Sequence, residues 1–133
     1  METYNKKINM AEYLDFSERT ENKNFSEISA RCQDEGVIRL LHGSMGLVTE
    51  AGELLDAMKK HLFYGKPIDM VNIQEEIGDS LFYIAAMCRF LGISFEDAAD
   101  KNIKKLRSRY PNNFSEYDAE NRDLDAERKI LEE

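Results

Sequence analysis

Apolar residues recur along this chain with a helical period. From about Ala30 to Phe63 they fall at Val37, Leu40, Leu41, Leu47, Val48, Leu54, Leu55, Met58 and Leu62, a pattern that gives one long helix an apolar stripe. Gly43 and Gly46 are places where that helix can bend. A second stripe, Ile73, Ile77, Leu81, Ile84, Cys88 and Leu91, predicts a helix from about Asp69 to Leu91. Between the two, Tyr64-Gly-Lys-Pro-Ile reads as a tight turn. Gly65 can take the left-handed C-cap, Pro67 cannot continue a helix, and Asp69 can cap the next one. The two helices should therefore run antiparallel.

The flanks follow the same logic. Met10, Tyr13, Leu14 and Phe16 predict a short helix over about residues 9 to 20, followed by a polar connection. Gly92 closes the second hairpin helix, and Ser94 with Glu96 and Asp97 opens another. Lys104, Lys105, Arg107 and Arg109 crowd the end of that helix before Pro111, as the macrodipole favours. Asn112 to Asn121 is polar and reads as irregular, and Arg122 to Glu133 as a charged terminal helix that needs a partner. With no β-branched alternation, the expected fold is all-α: an antiparallel bundle of four to five helices, with a domain over residues 1–111 and a charged tail over 112–133.

Composition narrows the function. The chain has 133 residues, 42% of them hydrophobic, enough for one domain with a real core. Eighteen Lys and Arg face 26 Asp and Glu, and the net charge of -8 argues against a general grip on nucleic-acid phosphates. Two cysteines, Cys32 and Cys88, cannot make a secreted-type disulfide framework. The start, Met1-Glu-Thr-Tyr-Asn, has no signal-peptide pattern, and no run approaches eighteen apolar residues, so the expectation is a cytoplasmic protein with no membrane partner.

The candidate chemistry lies in a repeated pattern. Glu50-Ala-Gly-Glu-Leu-Leu and Glu76-Ile-Gly-Asp-Ser-Leu share Glu-x-Gly-acid-x-Leu, one copy on each hairpin helix. At about 100° per residue, acids three apart are neighbours, so each helix carries a ladder of two carboxylates on the same side of its stripe. A pivot near Lys66 puts Glu53 and Asp79 at equal height and brings the four acids face to face. Like charges so placed raise one another's pKa unless a cation sits among them, and carboxylates suit Mg²⁺ or Mn²⁺. Gly46 and Ala57, one turn either side, leave room for a ligand, and Gly52 and Gly78 permit close helix packing. Solvated helix faces also carry acids at this spacing, so the pattern alone fits either reading. Glu75, off the ladder, faces solvent.

Asn102, Lys105 and Arg109 share one face of the following helix, beside the stripe Phe95, Ala99, Ile103 and Leu106. They can bind a triphosphate or simply complement the helix dipole. His42, two turns before Glu50, is open to a substrate contact or a structural role.

Three segments in order, Leu47-Val-Thr-Glu-Ala-Gly-Glu-Leu, Glu75-Glu-Ile-Gly-Asp-Ser-Leu and Asn102-Ile-Lys-Lys-Leu-Arg-Ser-Arg-Tyr-Pro, resemble the MazG-like all-α nucleoside triphosphate pyrophosphohydrolases, related to dimeric dUTPases and dCTP pyrophosphatases. The whole chain looks like the small single-domain members, including those of phages. The resemblance implies cleavage of a triphosphate between the α and β phosphates, with Mg²⁺ held by Glu50, Glu53, Glu76 and Asp79. It implies nucleotide binding by Asn102, Lys105 and Arg109, and a homo-oligomer, tetramer or dimer. Many members carry Glu-Glu-x-x-Glu; here Thr49 stands at the first acid, leaving Glu50 or Glu53 as the general base. Phe16, Phe25 and Tyr83 are each able to stack on a base. The rival from another class is a non-catalytic helical bundle that uses its acidic face for protein contacts. A di-iron bundle falls because His42 and His61 lack Glu-x-x-His spacing.

Overall fold

The computed structural model describes Lys7 and residues 9–133; the N-terminal Met1-Glu-Thr-Tyr-Asn segment lies outside the described residues. Seven α-helices follow in order among them: α1 (Met10–Glu18), α2 (Phe25–Arg31), α3 (Glu35–Tyr64), α4 (Met70–Leu91), α5 (Phe95–Arg109), α6 (Glu116–Glu120) and α7 (Leu124–Glu132). The all-helical class is as the periodicity implies. The number of helices is larger, because the chain breaks at Cys32–Asp34, where one continuous helix was expected, and because α6 forms in the stretch read as irregular. Asp34 explains the first break: its Oδ1 accepts from Val37 N–H at 3.0 Å, an N-terminal cap that fixes the start of α3. Ser115 does the same for α6, accepting from Asp118 N–H at 3.0 Å.

Two compact units divide the chain, Met1–Val37 and Ile38–Glu133. In the first, Asn9 and Glu12 form a capping box at the start of α1. The apolar side of α1 is not buried: Met10, Tyr13, Leu14 and Phe16 are all exposed.

The second unit is built on the α3–α4 hairpin. Gly65 has φ 63°, the left-handed conformation that ends α3, and His61 Nδ1 donates to the Lys66 carbonyl at 2.8 Å across the turn. Asp69 opens α4 by accepting from the Val71 and Asn72 amides. Gly92 closes it at φ 68°, with Ile93 N–H reaching the Cys88 carbonyl at 3.1 Å. Helix α5, capped by a Ser94–Asp97 box, leaves α4 at 95°. Among the described residues no single helix is long and apolar enough to cross a membrane.

The hairpin helices meet at Gly43 and Gly46, which are buried against Met87 and the Tyr83 ring. Two expectations change here. The space at Gly46 belongs to Tyr83 and not to a ligand, and Gly52 and Gly78 face nothing within 4 Å in this chain. The apolar core is also thinner than composition implied. Among the described residues Cys88 is the only buried side chain of that class, while Val48, Leu55, Leu62, Ile77 and Leu81 stay exposed. A two-helix hairpin has only one shared seam, so the remaining apolar faces of both helices look outward.

The C-terminal segment is tied down by charge. Helix α7 packs on α5, and Lys101 Nζ donates to the Leu131 carbonyl at 2.9 Å. Glu127, 4% exposed, receives both Arg109 and Arg122. These guanidiniums hold its carboxyl at about 2, below its ordinary 4.5. A depressed carboxylate stabilises the fold above its unfolded value and loses that contribution as pH falls toward the folded one. Protection of the α7 amides, corrected for the intrinsic exchange rate at each pH, should therefore fall as pH drops from 4.5 toward about 2, and in Glu127→Gln it should not change over that window.

Candidate metal centre and phosphate site

The close packing at Gly43 and Gly46 sets the height of every side chain further down the hairpin. Gly46 opposite Tyr83 and Gly43 opposite Met87 put the pivot at Tyr64–Gly65, slightly before Lys66. In an antiparallel pair this shift sets Glu50 level with Asp79, and Glu53 with Glu76. Glu50, Glu76 and Asp79 accordingly offer carboxylate oxygens that all lie within 4.8 Å of one another. Glu53 is the member of the expected quartet outside that group. It stands one turn nearer the hairpin tip, where it lines a cleft of about 330 Å³ with Asp56, Ala57, Lys66 and Asn72.

Charge crowding is visible in Glu50. Partial burial, then the hydrogen bond its protonated form donates to Glu76, then the charges of Glu53 and Glu76 push its carboxyl up from 4.5, and the Thr49 hydroxyl pulls the other way. Thr49 itself donates to the Gly46 carbonyl at 2.7 Å and lies 3.4 Å from Glu50 Oε1. A hydroxyl at this position therefore supplies no charge to the cluster. Glu76 is 3% exposed, and Asn72 Nδ2 donates to its Oε1 at 2.7 Å.

Asn72 is the residue that sequence reasoning missed. It sits one turn before Glu76 on the same face, a spacing that could have flagged it. Its amide orients a buried carboxylate, as outer-shell partners of metal ligands do. Asn72→Ala should weaken Mg²⁺ binding by about 10-fold or more, measured by calorimetry, whereas Asn72→Asp should fail to restore it because a carboxylate cannot donate.

The other expected residues are more dispersed. His42 lies edge-on to Tyr83 at 5.8 Å between ring centroids and lines a 260 Å³ cleft with Phe82 and Arg89. On α5, Asn102 is exposed and Lys105 half-buried, with no ion-pair partner for Lys105 among the described residues. Lys104 pairs with Asp100 at the surface. Arg109 is half-buried and engaged by Glu127, its Nε and Nη2 at 2.8 and 2.7 Å from the two oxygens. Of the candidate base-stacking residues, Tyr83 is packed over Gly46 and against Phe82, while Phe16 and Phe25 are exposed in the first unit.

Hard divalent cations suit this donor set. Three carboxylate oxygens converge, one carboxyl is raised by burial and by its neighbours, and the donors are all oxygen. Comparison with known proteins agrees with the geometry. Residues 43–114, just over half of the chain, match the MazG nucleotide pyrophosphohydrolase domain. The Gene 37 protein of Mycobacterium phage L5 is 32% identical over 74 residues, which make up 53% of this chain and 65% of that protein. The matched stretch thus spans less than two thirds of that relative. No solved structure matches. The matched segment contains both acid ladders and the basic face of α5, and on that ground the chain belongs to the MazG nucleotide pyrophosphohydrolase domain family, as a small member of phage type.

Proposed function

We propose that this chain hydrolyses a nucleoside or deoxynucleoside triphosphate between the α and β phosphates, using Mg²⁺ or Mn²⁺ held by Glu50, Glu53, Glu76 and Asp79. The observation that carries this reading is the convergence of Glu50, Glu76 and Asp79 within 4.8 Å at the seam of the matched hairpin. When bound, a divalent cation lowers the pKa of water and neutralises charge developing on phosphate oxygens. The chain's own groups do the rest. Asn72 fixes Glu76. Glu53, outside the tight group and open to the cleft, takes the proton of the attacking water, with Glu50 the other candidate for that role. Lys105, Asn102 and Arg109 hold the phosphates, and His42 contacts the substrate from the cleft beside Tyr83. The role that follows is control of the cytoplasmic nucleotide pool.

The acting form is a homo-oligomer, a tetramer or a dimer. Leu41, Val48, Leu55 and Leu62 recur every seven residues along α3, and all are exposed. Gly52 lies between Val48 and Leu55 with nothing within 4 Å, so a second copy of the hairpin can approach closely there.

The test is a panel of ribo- and deoxyribonucleoside triphosphates, including oxidised ones, with Mg²⁺ or Mn²⁺ and both products quantified. Monophosphate and pyrophosphate in equal amounts are expected; orthophosphate as the first product would overturn the cleavage position. Metal should also stabilise the fold, by about 2.7 kcal/mol at a hundredfold excess over Kd. At a fixed metal concentration the gain should grow as pH rises above 4.5, because Glu50 is raised in the folded state and its ionisation costs stability without a cation. A melting temperature indifferent to metal would favour a non-catalytic bundle.

A further inference from the structure

The guanidinium of Arg109 holds a carboxylate in the way it would hold a phosphate. Its Nε and Nη2 donate to Glu127 Oε1 and Oε2 at 2.8 and 2.7 Å, the two-pronged geometry that guanidinium offers carboxylates and phosphates alike. Arg122 brings a second fork to the same oxygens, its Nη2 at 2.6 Å and its Nε at 3.3 Å. The side chain of Arg109 is 15% exposed and that of Glu127 is 6% exposed, so the contact is not a solvent-screened surface pair. We propose that Glu127 is a resident competitor for substrate phosphate: α7 occupies the fork of Arg109 until a nucleotide displaces it, and the C-terminal segment thereby sets nucleotide affinity. This inference rests on the pyrophosphohydrolase reading for the role of Arg109.

Two observations make the exchange feasible. Breaking a buried ion pair is costly when it strands one charge, but Glu127 would keep Arg122, which lies only five residues away on its own segment. Glu127 is therefore satisfied in both states, and Arg109 exchanges one anion for another. A cleft of about 210 Å³ also borders the pair, lined by Ser108, Arg109, Arg122 and Asp123, and gives the guanidinium room to turn. The family match stops at residue 114, so Arg122 and Glu127 lie beyond the matched segment and their contact with Arg109 is not part of what that match covers.

The experiment compares the full chain with Glu127→Gln, Arg122→Gln and the control Glu132→Gln, which removes one exposed tail charge. For the best triphosphate of the panel, Glu127→Gln should lower KM by about tenfold, the tightening expected if Arg109 is free only one part in ten of the time, with a lower melting temperature. Arg122→Gln leaves Glu127 to Arg109 alone and should raise KM, so the proposal is testable even if Glu127→Gln does not fold. Glu132→Gln should leave KM unchanged. A KM that is unmoved or raised in Glu127→Gln, or unmoved in Arg122→Gln, would make the contact a structural clamp and overturn the proposal; an equal fall in Glu132→Gln would overturn it as general charge removal. Calorimetry with inorganic tripolyphosphate separates the two readings. Tighter binding by Glu127→Gln without any hydrolysis by the wild type would sustain the competitor and sink the activity; hydrolysis with no change in either measurement would do the reverse.

Discussion

Asp79→Asn should cut pyrophosphate release by at least about 100-fold, beyond the 10- to 100-fold that loss of an outer-shell partner costs, while the fold without metal becomes no less stable. The two effects have opposite signs for one reason. Asp79 is one of three carboxylates whose oxygens lie within 4.8 Å, and such crowding is worthwhile only when a cation fills it. Removing one charge relieves repulsion in the free protein and at the same time removes a ligand. Glu53→Gln should also abolish turnover, but for a different reason: Glu53 stands outside the tight group and faces the cleft, so metal affinity should fall less than the rate. Wild-type pyrophosphate release in either variant would take that residue out of the site.

Gly46→Val should be the most damaging single change to the hairpin, destabilising it by about 3 kcal/mol or more, the upper end of the range for overpacking a tight seam. A Cβ at Gly46 would overlap the Tyr83 ring, and that ring is held between His42 and Phe82. Making room for the new side chain costs the ring those two edge contacts or parts the helices. Separation would also pull Glu50 away from Asp79, so Mg²⁺ stabilisation should weaken in parallel. In a Gly46→Ala, Tyr83→Ala double variant the loss should be less than the sum of the two single changes, because the clash disappears with the ring. Chemical denaturation of the four proteins checks both points; additive losses would mean that the ring and the glycine do not share this contact.

Local signals in the sequence were accurate where the chemistry is local. Asp69, Ser94, Gly65 and Gly92 cap or end the helices expected of them, because each acts on backbone groups within a few residues. The acid ladders on α3 and α4 were legible for the same reason, since a period of 3.6 residues fixes which carboxylates share a face. The height at which the ladders meet was not. A pivot at Tyr64–Gly65 in place of Lys66 is a small change along the chain, yet it sets Glu50 level with Asp79, and side-chain placement leaves Glu53 lining the cleft. Composition misled on the core, because a hairpin can be rich in apolar residues and still leave most of them outside its single seam.

What the sequence determined by itself was the helical class, the hairpin, the pairing of acids on each helix and the family to which those motifs belong. Each of these follows from spacing along one chain, and spacing is preserved in any environment. Only the tertiary structure decided that Tyr83 fills the gap at Gly46, that Asn72 steadies Glu76, and that Arg109 is engaged by Glu127 eighteen residues away. Those contacts depend on the distance and rotation between helices, which are fixed by how side chains interlock at the seam, and no periodicity in a single strand of sequence encodes them.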